Sequence, residues 1–343
     1  MAISTQAQTQ IRTIIHAVNQ VYSDYRKTHV WTNHQNFIGL SLTILTGICI
    51  VLTGYGWFKE IIPTWLTVLL IAFLTSILHE IEHDLIHELY FKRQKFIYHF
   101  MMLSVFIFRP ISLNPWIRKY WHHFHHQHSG MAFDIEERGI TNGDRLSIVR
   151  LIALPDLFLS ALLRVPRLRK EITIEAEKGN LTKADVQRIN RTLAFGLLPF
   201  GVPLTLLWYL VVMYKCAVLF GYTIPFVEAK LYLVYPLLVL LVVPNLIRQF
   251  SLHFISSNLH YNGDIEHGNV IQQVQVFNPW WSFPMQWFCF YFGETHAIHH
   301  FVVNEPFYLR QLTRKYANKV LLNHGIRSND VRNILFANRY FHP

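Results

Sequence analysis

Charge is what this chain of 343 residues has least of: Asp, Glu, Lys and Arg together make up 15% of it, against roughly 25% in a soluble globular domain. Apolar residues reach 52% and mean hydropathy is positive, which excludes intrinsic disorder, a state that needs the opposite balance. Cysteine is scarce too. Cys49, Cys216 and Cys289 lie far apart in apolar surroundings, with no CxxC spacing; a disulfide framework is excluded, and the three read as reduced thiols buried in a bilayer or core. The first twenty residues hold no apolar stretch of signal-peptide length, so no cleaved signal is expected. No internal repeat or low-complexity segment is present. What remains is a polytopic membrane protein with polar parts attached. The net charge of +10 would suit nucleic acid, but basic residues facing anionic lipid account for it here, and no nucleic-acid partner is expected.

Two apolar runs, 37–58 and 61–78, reach or approach the ~20 residues that a helix needs to cross a bilayer core. Only Lys59, Glu60 and their neighbours part them, which predicts a tight hairpin with both open ends on one side. A second pair is predicted at 192–220 and 231–250, where Pro199, Pro203, Pro236 and Pro244 are tolerable in packed membrane helices. Between the pairs, the stretches 96–108 and 151–163 read as re-entrant or interfacial helices, and 164–191 as a solvated helical connector. Lys and Arg number 17 in 79–191 and 7 in 251–343, while the first turn has only Lys59. That asymmetry predicts cytoplasmic termini and a cytoplasmic middle region. The expected fold is therefore an all-α integral membrane protein, with four transmembrane helices in two hairpins and a cytosolic helical cap. Its expected parts are an N-terminal cytosolic segment (1–36), a membrane domain (37–310) and a C-terminal cytosolic tail (311–343).

Histidine is the anomaly. Eleven of the twenty fall into three clusters. HEIEHDLIH carries His79, His83 and His87; WHHFHHQHSG carries His122, His123, His125, His126 and His128; HAIHH carries His296, His299 and His300. Spacings of three and four place imidazoles on one helix face. Neutral imidazole is the commonest biological metal ligand and suits iron, zinc, copper and nickel. One HxxxH would be no more than two interfacial histidines; three related clusters are a site. Eight or more imidazoles exceed the needs of one four- to six-coordinate ion, so two metals are implied. Past the fourth run lie His253, His260 and His267, of which His260, near Asn258 and Tyr261, is favoured to complete the set. Glu80, Glu82, Asp84, Asp134, Glu136, Glu137, Asp264, Glu266 and Glu294 are the carboxylates available to orient imidazoles, and Asp84, beside His83, is singled out. A membrane metal transporter would place histidines within its spans, and the predicted spans contain none.

At these residues the sequence resembles the membrane fatty-acid desaturase and hydroxylase superfamily. His83-Asp-Leu-Ile-His87 is similar to its first histidine box, HDxxH; His122-His-Phe-His125-His126 is similar to the second, HxxHH, and His296-Ala-Ile-His299-His300 to the third. The resemblance implies two non-haem iron ions held by His83, His87, His122, His125, His126, His260, His296, His299 and His300. His79, Asp84, His123, His128, Asn258 and His267 are then second-sphere groups or alternative ligands. HEIEH also fits the HExxH box of alkane hydroxylases, which would put His79 in place of His87; the following ELYFKRQKF favours His87. No HPGG haem motif occurs, so electrons are expected from a separate ferredoxin-, rubredoxin- or cytochrome b5-like protein and its reductase. The reaction implied is O2-dependent oxidation of a fatty acid or fatty-acyl chain drawn from the bilayer. Desaturation comes first, with oxidative decarboxylation to terminal alkenes and hydroxylation as alternatives. A free carboxylate would want a cation, for which Arg109, Arg118, Lys119 and Arg248 are candidates, and the aromatic segment 278–292 is a candidate tunnel wall or interfacial belt.

Overall fold

The computed structural model describes residues 3–341, so the outermost residues of the two expected terminal segments, 1–2 and 342–343, lie outside the described residues. Among the described residues the chain is helical, with two isolated bridges and no strand. Four helices are long and apolar enough to cross a membrane.

Helix α1 (Thr5–Thr28) starts at Ser4, whose hydroxyl accepts from the Ala7 N–H. Ile14, Val18 and Tyr22, one helical turn apart, form its buried stripe. Helix α2 (Gln35–Phe58) and helix α3 (Thr64–Ile86) pack along each other around the turn at 59–63. Small residues make α2's inner face, among them Gly39, Thr43, Thr46 and Gly54, as close packing of apolar helices requires. Helix α3 outruns its apolar segment by two turns, and His79, Glu80, Glu82, His83 and Asp84 on those turns are all buried. Buried charge survives only when paired or bound to a metal, so this end of α3 marks the site.

Helices α4 (Lys95–Ile107) and α5 (Pro115–His128) follow, α5 with Asn114 as its cap and Pro115 in its first turn. Then come α6 (Ile135–Gly139, capped by Asp134), α7 (Ile148–Ala153), α8 (Leu157–Glu177) and α9 (Lys183–Phe195). The single interfacial helix expected at 151–163 is two helices, because Asp156 turns its carboxylate onto the Phe158 and Leu159 N–H groups and caps α8 there. The expected connector is likewise a packed layer: Leu168, Ile172, Leu181 and Ile189 bury against Trp121, Phe124, Phe133 and Ile135.

The third apolar run is also shorter than expected. Helix α9 ends at Phe195 and α10 (Gly201–Leu219) begins after a break containing Pro199. Pro203 falls in α10's first turn, where its missing N–H costs nothing. Helix α10 is almost without protein cover, with Met213 67% and Leu219 83% exposed; an uncovered apolar helix calls for lipid. Helix α11 (Leu231–Leu259) is continuous through a π-turn at Leu238–Val242 between Pro236 and Pro244, and it runs nine residues past the expected end. Of the cysteines only Cys289 is buried, while Cys49 and Cys216 face outward from α2 and α10.

Helices α12 (Phe292–Phe301) and α13 (Phe307–Asn323) complete the site region. Helix α11 packs against α3 and α12, α12 against α13, and α13 against α1. Gly293 lets α12 start where it does, because a methyl group there would collide with the Phe277 carbonyl and the Gln286 amide. The aromatic segment 278–292 divides: Trp280, Phe283 and Trp287 point outward, while Phe292 is buried and lines the cavity beside the histidines.

Candidate metal centre

Four helices deliver imidazoles to one buried volume. His83 and His87, at the end of α3, meet His122 of α5 and His299 of α12, with one ring nitrogen from each lying within 4.8 Å of the others. His125 of α5, His260 at the end of α11, and His296 and His300 of α12 form a second such group. Neighbouring residues on a helix point about 100° apart, which is why adjacent His299 and His300 serve different groups. His126 faces the first group, its Nε2 3.1 Å from His122 Nε2 and 3.0 Å from His299 Nε2, and its ring centroid is 4.9 Å from that of His300 in the second. All nine histidines singled out in the sequence are thus brought together.

The spacing of the nitrogens fits metal ions. In the second group, His260, His296 and His300 hold their Nε2 atoms 3.0, 3.0 and 3.1 Å apart, a closed triangle. Each neutral ring nitrogen is either donor or acceptor, so a triangle always sets two like groups against each other. A shared cation removes that conflict, because adjacent ligands about 2.1 Å from one ion stand about 3 Å apart. In the first group, the Nε2 atoms of His83 and His87 are buried without a hydrogen-bond partner. Burial, joined by neighbouring imidazoles and guanidinium groups, holds His87, His122, His126, His296, His299 and His300 below the ordinary histidine range. They are neutral, the form that ligates.

The outward nitrogens are oriented by acids from one short stretch. His122 Nδ1 is 2.8 Å from Glu136, His125 Nδ1 2.8 Å from Asp134, and His260 Nδ1 3.1 Å from Glu137. The first two are hydrogen bonds, which place a proton on Nδ1 and leave Nε2 to face the group; Glu137 lies within ion-pair distance of His260 Nδ1 without a hydrogen bond to it. Burial opposes charge on His125, yet the Asp134 carboxylate outweighs it and raises this histidine to about 10; an ion binding there displaces a proton.

Arg310 carried no signal in the sequence. It lies on α13, fully buried, with Nη1 2.9 Å from His299 Nδ1 and Nη2 3.4 Å from His83 Nδ1. Nη2 also donates to Asp84 Oδ1 at 3.1 Å, and Glu80 is 3.6 Å away. Asp84, the carboxylate singled out beside His83, is 3.9 Å from that ring. It accepts instead from Tyr90 Oη and from the Phe307 N–H, both at 2.7 Å, and reaches the histidines through Arg310.

The remaining candidates lie outside both groups. His79 Nδ1 faces Arg109 and Arg118, each at 3.4 Å, so His87 and not His79 joins His83. His123 contacts the Ile86 carbonyl at 3.1 Å. His128 and His267 pack on each other, with ring centroids 5.7 Å apart. The Asn258 side chain donates to the Phe254 carbonyl, and His253 Nδ1 lies 2.8 Å from the Leu154 carbonyl. Lys119 is tied to Glu88 at 2.8 Å.

Four apolar helices and a buried centre of imidazoles define an integral membrane protein with two polyhistidine groups able to hold metal ions. The chain belongs to the fatty acid desaturase family, whose model matches residues 60–331 and so takes in every histidine of both groups. No curated protein and no solved structure matches the chain.

Proposed function

We propose that this protein is a diiron, O2-dependent oxidase of a fatty acid or fatty-acyl chain, and that its principal reaction is desaturation. The observation that carries the proposal is the pair of adjoining imidazole groups, each sized for one ion, inside a chain of this family. His83, His87, His122 and His299 hold one iron, and His125, His260, His296 and His300 the other, with His126 facing the first group. All-nitrogen donor sets suit iron, and two reduced irons with dioxygen supply the oxidising power to take hydrogen from an unactivated C–H bond.

The chain's own residues do the rest. Glu136 and Asp134 keep His122 and His125 in the ligating tautomer, Arg310 holds His299 and His83 in place, and burial keeps bulk water from the reacting carbon. The basic middle region faces the cytoplasm, with the histidines and both termini. There a separate ferredoxin-, rubredoxin- or cytochrome b5-like protein delivers the two electrons that, with two protons, reduce dioxygen to water as two hydrogens leave the substrate. Oxidative decarboxylation is a second reading, favoured by the cationic cavity beside the histidines. In it a hydrogen and the carboxyl group are lost, carbon dioxide departs, and dioxygen again takes up two external electrons.

Gas chromatography–mass spectrometry of lipids and headspace, from a host expressing the chain with an electron donor, tests the proposal. New double bonds in acyl chains are expected. Volatile alkenes one carbon shorter than the fed acid select decarboxylation, and hydroxylated chains would make it a hydroxylase. No oxidised product from an iron-loaded, reduced protein would overturn the oxidase reading.

A further inference from the structure

Three buried guanidinium groups, of Arg109, Arg248 and Arg310, and the partly exposed one of Arg118 lie around the histidines, and one of the four has no counter-ion. Arg109 and Arg118 share Glu82, Arg118 also reaches Glu136 at 3.4 Å, and Arg310 has Asp84. Arg248, on α11, is 1% exposed and donates only to neutral groups, Ser112 Oγ at 2.7 Å and Asn245 Oδ1 at 3.3 Å. Among the described residues no carboxylate lies within ion-pair distance of it. A buried cation left unpaired is strongly unfavourable, and an arginine is built to take an anion through two parallel N–H groups.

Arg248 lines a cavity of about 80 Å³ together with Ser112 and Gln249, and His122, His125 and His296 line the same cavity. A second cavity of about 330 Å³ adjoins it and shares Leu113, Trp121, Gly139 and Leu157 as walls. Its lining is almost wholly apolar, with Phe158, Ala161, Val165 and Leu197 among it. The charged exception, Arg164, is already paired with Asp144. A small chamber at the histidines, lined by Arg109, Arg118 and Arg248 and by Glu136 and Glu137, thus adjoins a larger apolar one bounded by α8 and the segment before α10. Glu136 is taken by Arg118 and His122, and Glu137 lies against His260, while Arg248 has no acid.

We propose that the substrate is a free long-chain fatty acid, its carboxylate bound by Arg248 and its tail lying in the apolar cavity. The proposal rests on the oxidase reading above and names its substrate class. An ester, thioester or alcohol head would leave Arg248 uncompensated. Because Arg248 and the histidines share one small chamber, the carbons presented for oxidation are those next to the carboxylate. Products altered at the carboxyl end follow from that placement.

The test is equilibrium binding of radiolabelled palmitic acid, methyl palmitate and hexadecanol to the full-length protein in lipid nanodiscs, without reductant. Binding of the acid is expected to be roughly ten- to hundredfold tighter than that of the ester, the worth of a charge-assisted hydrogen bond. Arg248→Met should abolish the difference, and Arg248→Lys should retain part of it. Equal affinities in the parent protein, or an acid preference that survives Arg248→Met, overturn the proposal while leaving the oxidase reading in place. The parent comparison decides the matter even if a variant fails to fold. If none of the three compounds binds, the free-acid assignment falls, and the oxidase reading is decided by the product analysis above.

Discussion

His299→Ala is expected to purify with about half the iron of the parent protein and to turn over no substrate. His299 belongs to the group of His83, His87 and His122, and its loss leaves three imidazoles there while the second group keeps all four. His126 does not replace it, because its Nε2 already lies between His122 and His299. Removing His300 instead strips the other group, so the two alanine variants should lose different ions and the same activity. Elemental analysis alongside turnover reads the outcome. Parental iron content together with parental turnover in His299→Ala would refute the assignment of the first group.

Arg310→Met is expected to cost roughly 3–5 kcal/mol of stability, the usual penalty for breaking a buried ion pair. Asp84 and Glu80 are buried and have Arg310 as a shared cation. The same change frees Nδ1 of His299 and His83 from their common donor, so iron affinity should fall with stability. Adding Asp84→Asn removes one of the stranded charges and should recover part of the loss, which a double-mutant cycle measures. The check is the unfolding midpoint in a single detergent; a midpoint unchanged by Arg310→Met would contradict the role given to this network.

The histidine groups were legible in the sequence because helical spacing is local information. His83 and His87, or His296 and His300, are one turn apart whatever surrounds them. His260 was within reach for a related reason, since it sits just past an apolar run whose end has to lie near the other clusters. Glu136, Asp134 and Glu137 were visible only as members of a longer set of acids; which acid meets which imidazole depends on how α6 docks under α5. Arg310 follows the third box on a separate helix and comes to the site only when α13 packs. Arg248 was one of four candidate cations, and what distinguishes it is the lack of a partner, which is a property of the folded chain. Apolar runs in the sequence give the number of spans, four, but not their ends. Polar turns extend α3 and α11 beyond their apolar segments, and Pro199 lies in the break before α10. In α1, Ile14, Val18 and Tyr22 spell a one-face stripe in the sequence itself.

The central claim, two ions in two imidazole groups, is tested most directly by reconstituting the purified full-length protein anaerobically with ferrous iron and measuring bound iron with its Mössbauer spectrum. About two irons per chain are expected, both in nitrogen-rich sites and magnetically coupled after oxidation. One iron per chain, or two that remain uncoupled, would contradict the account.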